Sequence, residues 1–156
     1  MKSAKTTLAK TAVAEVELVY RRRVTAEQRP KVTRSADACD ILRAHWDKGK
    51  ISLLEQFYIL MLDRSNRVMA CSLISTGGMA GTVADPKIIF TTALKCRAAG
   101  LILAHNHPSG NLVPSQSDRE LTRRLKQAGE LLELPVLDHL ILTDDAFLSF
   151  ADEGFM

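Results

Sequence analysis

The chain has 156 residues, enough for one domain with a fair core. Hydrophobic residues make up 46% and charged residues 25%, as in an ordinary globular protein, while 5% aromatics leave the core to Leu, Ile, Val, Ala and Met. A formal charge of +3 is too small to argue for nucleic acid by itself, and no apolar run reaches the roughly 18 residues of a membrane span.

Cys39, Cys71 and Cys96 lie far apart with no C-x-x-C pair. That excludes a disulfide framework and a zinc ribbon, and a reducing cytoplasm is the simplest fit. Lys10, Glu15 and Glu17 interrupt any apolar region of a secretory signal.

Residues 1–12 are rich in Lys, Thr and Ala and read as a flexible tail, which leaves residues 13–156 as the domain. Glu15 to Tyr20 alternates as a strand would. Arg21, Arg22 and Arg23 follow, with Arg29, Lys31 and Arg34 nearby. They suit either a phosphate-contacting patch or a solvated strand end. The second fits better, since only Tyr20 among them could stack on a base. Ser35 caps a predicted helix to about Asp47, with Ala38, Ile41, Leu42 and His45 on one side and His45 and Trp46 packing at its end. Gly49-Lys50 is not a phosphate loop, because Ile51 and Ala44 stand where Ser or Thr and Gly are needed.

Glu55 precedes an apolar strand, Phe57 to Leu62. Asp63 to Asn66 is a hairpin turn, and Val68 to Ser75 returns as its partner. Gly77, Gly78 and Gly81 form a loop that misses the dinucleotide pattern, since Thr76 holds the first glycine's place. It reads as a plain turn, with shaping of access to a site as the alternative. Asp85-Pro86 starts a helix that is expected to run to about Ala99, where Gly100 stops it.

Next comes the stretch on which the rest turns, His105 to Asp118. A strand through residues 101–107 aims His105 and His107 to one face, because side chains alternate along a strand. Pro108-Ser109-Gly110 turns the chain. A helix follows from Gln116 to about Gly129, with Ser115 as its N-cap and Asp118 in its first turn. A loop that folds back can set Asp118 beside the histidines. Two imidazoles and a carboxylate make a three-ligand zinc site with one position open, which is the catalytic arrangement. Ser-x-x-Asp is also a capping box that requires no metal. Leu134 to Leu142 reads as a further strand, followed by a short segment with Ser149 and Phe150. The alternation of strands and helices predicts an α/β domain with a mixed sheet.

His105-Asn-His107-Pro-Ser-Gly110, Pro114-Ser115 and Asp118 resemble the JAMM motif of the MPN/JAB metallopeptidase family, most closely its bacterial RadC-like branch. Glu55-Gln-Phe57 leading into Tyr58 to Asp63 resembles the family's glutamate-bearing strand. Asp138-His139 and Ser149-Phe150-Ala151 resemble the branch's C-terminal signature. Together these cover about residues 35–156. The resemblance implies a single MPN domain, a curved mixed sheet flanked by helices. It implies Zn²⁺ held by His105, His107 and Asp118, with Glu55 as general base in hydrolysis of a peptide or isopeptide bond of a protein or peptide. Without it, the residues do not separate Glu55 from Glu15 or Glu17. Lys87 departs from the branch, which often has arginine near this place.

Ser115 suits an oxyanion donor, a helix cap, or both. Asn106 points away from its neighbours and reads as structural. Asp138 and His139 suit either a pair supporting the ligands from behind or a hydrogen-bonded core histidine. No H-E-x-x-H helix, nucleobase-deaminase pattern or G-x-S-x-G elbow is present. Two other functions stay open: a DNA-transaction accessory protein and a non-catalytic MPN scaffold. Fuller members of the branch carry an N-terminal helical module of DNA-binding type. No room is expected for one before Ser35, which weakens the DNA role, and the complete ligand set weakens the scaffold.

Overall fold

A computed structural model describes residues 13–17, 19, 21, 23–78 and 83–156. The tail expected at 1–12 lies outside the described residues, as do Leu18, Tyr20, Arg22 and Gly81. No strand forms at residues 15–17 or 19; this stretch is exposed and has no partner strand to complete its hydrogen bonds.

The first helix, α1, spans Ser35–His45. Its N-cap is Arg34 rather than Ser35. The Asp37 carboxylate accepts the amides of Thr33 at 2.8 Å and Arg34 at 3.1 Å. The Ser35 hydroxyl donates to Asp152 instead. Trp46 is buried and packs on Tyr58 with ring centroids 4.2 Å apart. His45 is exposed, contrary to the packing role expected of it, because the helix ends there and turns its ring back toward the Ile41 carbonyl.

Strands β1 (Gln56–Leu62) and β2 (Val68–Thr76) form the expected antiparallel hairpin. Asn66 closes its turn with φ of 58°. Helix α2 spans Pro86–Lys95, with the Asp85 carboxylate accepting the Lys87 amide at 2.9 Å. It stops earlier than Gly100. Arg97 takes the left-handed conformation, φ 60°, and Gly100 already belongs to β3 (Gly100–Asn106). Helix α3 (Gln116–Leu131) leads to β4 (Val136–Leu142) and a short β5 (Phe147–Ser149).

The sheet order is β2-β1-β3-β4-β5, mixed because only β3 and β4 run parallel. Every residue of β1 and β3 is buried, as expected for central strands covered on both faces. Tyr58, Leu60, Leu62, Ile102, Ala104, Leu140 and Leu142 pack toward α1. Phe57, Ile59, Met61, Leu101 and Leu103 pack toward α2 and α3. The domain is therefore α/β with helices on both faces, as its sequence predicts.

One irregularity decides where a key side chain points. The β3–β4 register pairs Leu101 with Val136 but Ile102 with Asp138, so Leu137 is an extra residue in β4. A bulge of this kind reverses the alternation. Val136 and His139, three apart, thus share the α3 side of the sheet.

Candidate metal centre

The site lies at the carboxyl end of parallel strand β3, where the chain passes into α3, the usual place for function in such sheets. His105 sits on β3 facing α3, and His107 lies just beyond the strand on the same side. The Gly110 amide donates to the His107 carbonyl at 3.0 Å, closing a turn, and Gly110 takes φ of 81°. The chain then returns through buried Pro114 to the N-cap Ser115.

The Ser115 hydroxyl accepts the Asp118 amide at 3.1 Å and donates to Asp118 Oδ2 at 2.6 Å. The Ser115 amide donates to the same oxygen at 2.7 Å. The capping box and the ligand set predicted from the sequence are thus one arrangement: capping the helix aims the carboxylate. Asp118 Oδ1 lies 3.3 Å from His105 Nε2, Asp118 Oδ2 lies 3.7 Å from His107 Nε2, and the two Nε2 atoms are 3.0 Å apart. This trio is the one group of metal-capable side chains found among the described residues.

The outer nitrogen of His107 faces the Asn111 carbonyl at 2.6 Å. A carbonyl only accepts, so in the neutral ring Nδ1 carries the hydrogen and Nε2 turns its lone pair into the cluster. The Asp118 hydrogen bond holds His107 above the ordinary imidazole value; burial opposes it, while the Asn111 carbonyl and the charges of Asp118 and Glu55 add to it. Burial pushes the Asp118 carboxyl up, but the adjoining His105 and His107 rings, whenever they are protonated, and the Ser115 hydroxyl hold it well below the carboxylate range.

Glu55 immediately precedes β1 and is half-buried. Phe57 is opposite His105 in the antiparallel register, so two further steps bring Glu55 opposite His107. Its main chain is held by Gly77 and Gly78, the start of the predicted glycine loop, through bonds of 2.8 and 3.2 Å. Glu15 and Glu17 lie in the exposed stretch before α1.

Asn106, between the two histidines, is fully buried and points to the α1 side. Its Oδ1 accepts the Gln56 amide at 2.7 Å; its Nδ2 donates to the carbonyls of Ile51 at 2.6 Å and Leu54 at 2.8 Å. The residue expected to be structural therefore ties the histidine strand to the Glu55 segment.

Asp138 and His139 divide. Asp138 accepts the Ser149 hydroxyl at 2.6 Å and the amides of His139 and Ala151, fixing the C-terminal segment. The His139 ring instead reaches His105, with Nε2 2.8 Å from His105 Nδ1, and its Nδ1 lies 2.6 Å from the Thr122 hydroxyl. Burial, then the His105 charge, pushes His139 well below the ordinary imidazole value. Thr122 was not singled out from the sequence. Its signal was present in its spacing: it stands one helical turn after Asp118.

Described helices include none long and apolar enough to cross a membrane.

This α/β domain with two histidines and a capped aspartate at a strand end defines a JAB-type domain. A family model for the RadC-like JAB domain matches residues 32–155, and the chain belongs to that family. It is 43% identical over 143 residues to a UPF0758 protein of Flavobacterium johnsoniae, covering 91% of this chain and 61% of that protein. A UPF0758 protein of Trichlorobacter lovleyi is 34% identical over 149 residues, covering 96% and 65%. A third, from Thermosynechococcus vestitus, is 47% identical over 98 residues, covering 63% and 39%. The chain spans less than two thirds of the length of these relatives.

Proposed function

We propose that the domain is a zinc-dependent hydrolase of the JAMM type, cleaving a peptide or isopeptide bond in a protein or peptide substrate within the cytoplasm. The observation that carries it is the spacing of the three ligand atoms. Zinc bonds of about 2.0–2.1 Å in a tetrahedron separate neighbouring donors by roughly 3.3 Å. Here the two Nε2 atoms are 3.0 Å apart, Asp118 brings one oxygen to 3.3 Å from His105 Nε2 and the other to 3.7 Å from His107 Nε2, and one ligand atom from each of the three residues lies within 4.8 Å of the others. With the hydrogen of His107 directed at Asn111, acceptor atoms face one another, and a cation relieves their repulsion. The donor set of two imidazoles and a carboxylate fits zinc.

When bound, zinc supplies a Lewis acid that polarises a carbonyl and lowers the pKa of water from about 15.7 to near 7. Glu55, whose charge is felt at His107, accepts a proton from that side of the site and delivers it to the leaving nitrogen. Ser115 holds Asp118 in place. Its hydroxyl hydrogen is directed at Oδ2, so an oxyanion role requires that bond to be exchanged.

The test is zinc content of the purified chain by mass spectrometry beside His107→Ala and Asp118→Ala. About one zinc per chain, lost in both variants, is expected. Glu55→Gln should keep the zinc and lose about 10²- to 10⁴-fold in hydrolysis of a responsive peptide or isopeptide. A wild-type chain that takes up no zinc on addition overturns the proposal.

A further inference from the structure

We infer that Thr122 and His139 form a hydrogen-bond relay that sets which nitrogen of His105 carries the hydrogen, and so turns His105 Nε2 toward the ion as a free lone pair. The inference rests on the metal-binding reading of His105, His107 and Asp118.

The two histidines are held differently. The outer nitrogen of His107 meets a carbonyl, which dictates its tautomer alone. The outer nitrogen of His105 meets another imidazole, and an imidazole can donate or accept. The choice must be made further back.

It is made at Thr122, whose hydroxyl lies 2.7 Å from the Asp118 carbonyl and 2.6 Å from His139 Nδ1. A hydroxyl has one hydrogen. The carbonyl can only accept, so that hydrogen goes to Asp118, and Thr122 can then only accept from His139. His139 Nδ1 therefore donates. His139 is fully buried against Phe57 and Phe150 and stays neutral, which leaves Nε2 as an acceptor. It takes the hydrogen of His105 Nδ1. The lone pair of His105 Nε2 then faces His107 and Asp118.

Each link depends on a feature already described. The bulge at Leu137 puts His139 on the α3 side. Thr122 stands one turn after Asp118, so the backbone of one ligand directs the ring of another. Neither Thr122 nor His139 touches the reacting atoms; both are positioning residues.

Without the Thr122 oxygen the relay runs backwards. A buried N–H of His139 with no acceptor is unfavourable, so the hydrogen moves to Nε2 and is donated to His105 Nδ1. His105 then carries its hydrogen on Nε2, aimed at Asp118, and must give it up before a metal can bind.

The experiment uses the whole chain and two readouts. Nitrogen-15 NMR of the imidazoles, on metal-free protein at about pH 8, assigns the hydrogen of His105. Competition with a chromophoric chelator gives zinc affinity. Wild type should show His105 protonated on Nδ1. Thr122→Val, nearly the same shape, should move the hydrogen to Nε2 and weaken zinc about 10- to 100-fold. Thr122→Ser should restore both. A His105 hydrogen on Nε2 in wild type overturns the relay. So does a folded Thr122→Val that keeps the wild-type tautomer and binds zinc within threefold of wild type. Should Thr122→Val not fold, Thr122→Ala gives the same readouts. A chain that binds no zinc removes the function proposed above, while the tautomer of metal-free His105 still decides the relay.

Discussion

The side-chain oxygen of Asn106 accepts the main-chain amide of Gln56 at 2.7 Å. One residue thus stands between the two histidines and fixes the neighbour of Glu55. Asn106→Ala should leave one buried amide and two carbonyls without partners, at about 1–3 kcal/mol each. We expect a loss of at least about 3 kcal/mol in urea unfolding, with hydrolysis falling further than zinc binding, because His105 on β3 and His107 just beyond it keep their places while the Glu55 segment loses its tie to β3 and keeps only those to Gly77 and Gly78. A variant within 1 kcal/mol of wild type would show that the Glu55 segment is held by other contacts.

The metal-free domain should be most stable near pH 6.5. His139 has a depressed value in the fold, so its neutral burial costs nothing above the ordinary 6.5, and stability falls as pH drops below it. His107 has a raised value, so its contribution is complete below 6.5 and is lost as pH rises through the folded value. Asp118 remains ionised throughout, its loss being confined to strong acid. Each limb is limited to about 1.4 kcal/mol per pH unit per proton. Unfolding in chelator at pH 5.5, 6.5 and 7.5 measures this. His107→Gln should flatten the upper limb alone.

Gly129→Ala should be far more damaging than a helical glycine change on a free surface. An added Cβ meets the Leu134 carbonyl oxygen at 2.4 Å, and this is backbone that also carries the bond from the Leu134 amide to the Gly129 carbonyl. Separation of α3 from the β4 entry should cost about 1–3 kcal/mol or more. At about 2–4 °C per kcal/mol the melting temperature falls by several degrees, measurable by calorimetry. An unchanged melting temperature would mean that the turn at 132–135 shifts freely.

Much of this was legible in the chain. His105, His107, Ser115 and Asp118 lie within one local strand-turn-helix, where alternation and capping chemistry alone bring them together. The hairpin and the α2 start were read from turn and cap residues for the same reason. What failed had other causes. Arg97 rather than a glycine ends α2, taking φ 60° in a local cap in which the Ala98 amide donates to the Ala93 carbonyl at 3.1 Å. Ser35 is drawn from the expected cap by Asp152, far along the chain. Glu55 could be chosen only through the family resemblance, since its place opposite His107 comes from the register of β1 with β3. The contact of Thr122 with His139 depends on the bulge at Leu137, since unbroken alternation from Val136 would turn His139 to the opposite face.

The extra residue at Leu137 has a further consequence. It acts as a phase shifter in β4. Before it, odd and even positions face one way; after it, they are exchanged. Removing Leu137 would thus not shorten the strand harmlessly. It would exchange the α1-facing and α3-facing side chains from Asp138 to Leu142 or else drag the strand past its neighbour, so that a carboxylate tied to Ser149 and an imidazole tied to His105 would compete for each other's places. The domain should accept many substitutions at this exposed leucine and no deletion of it.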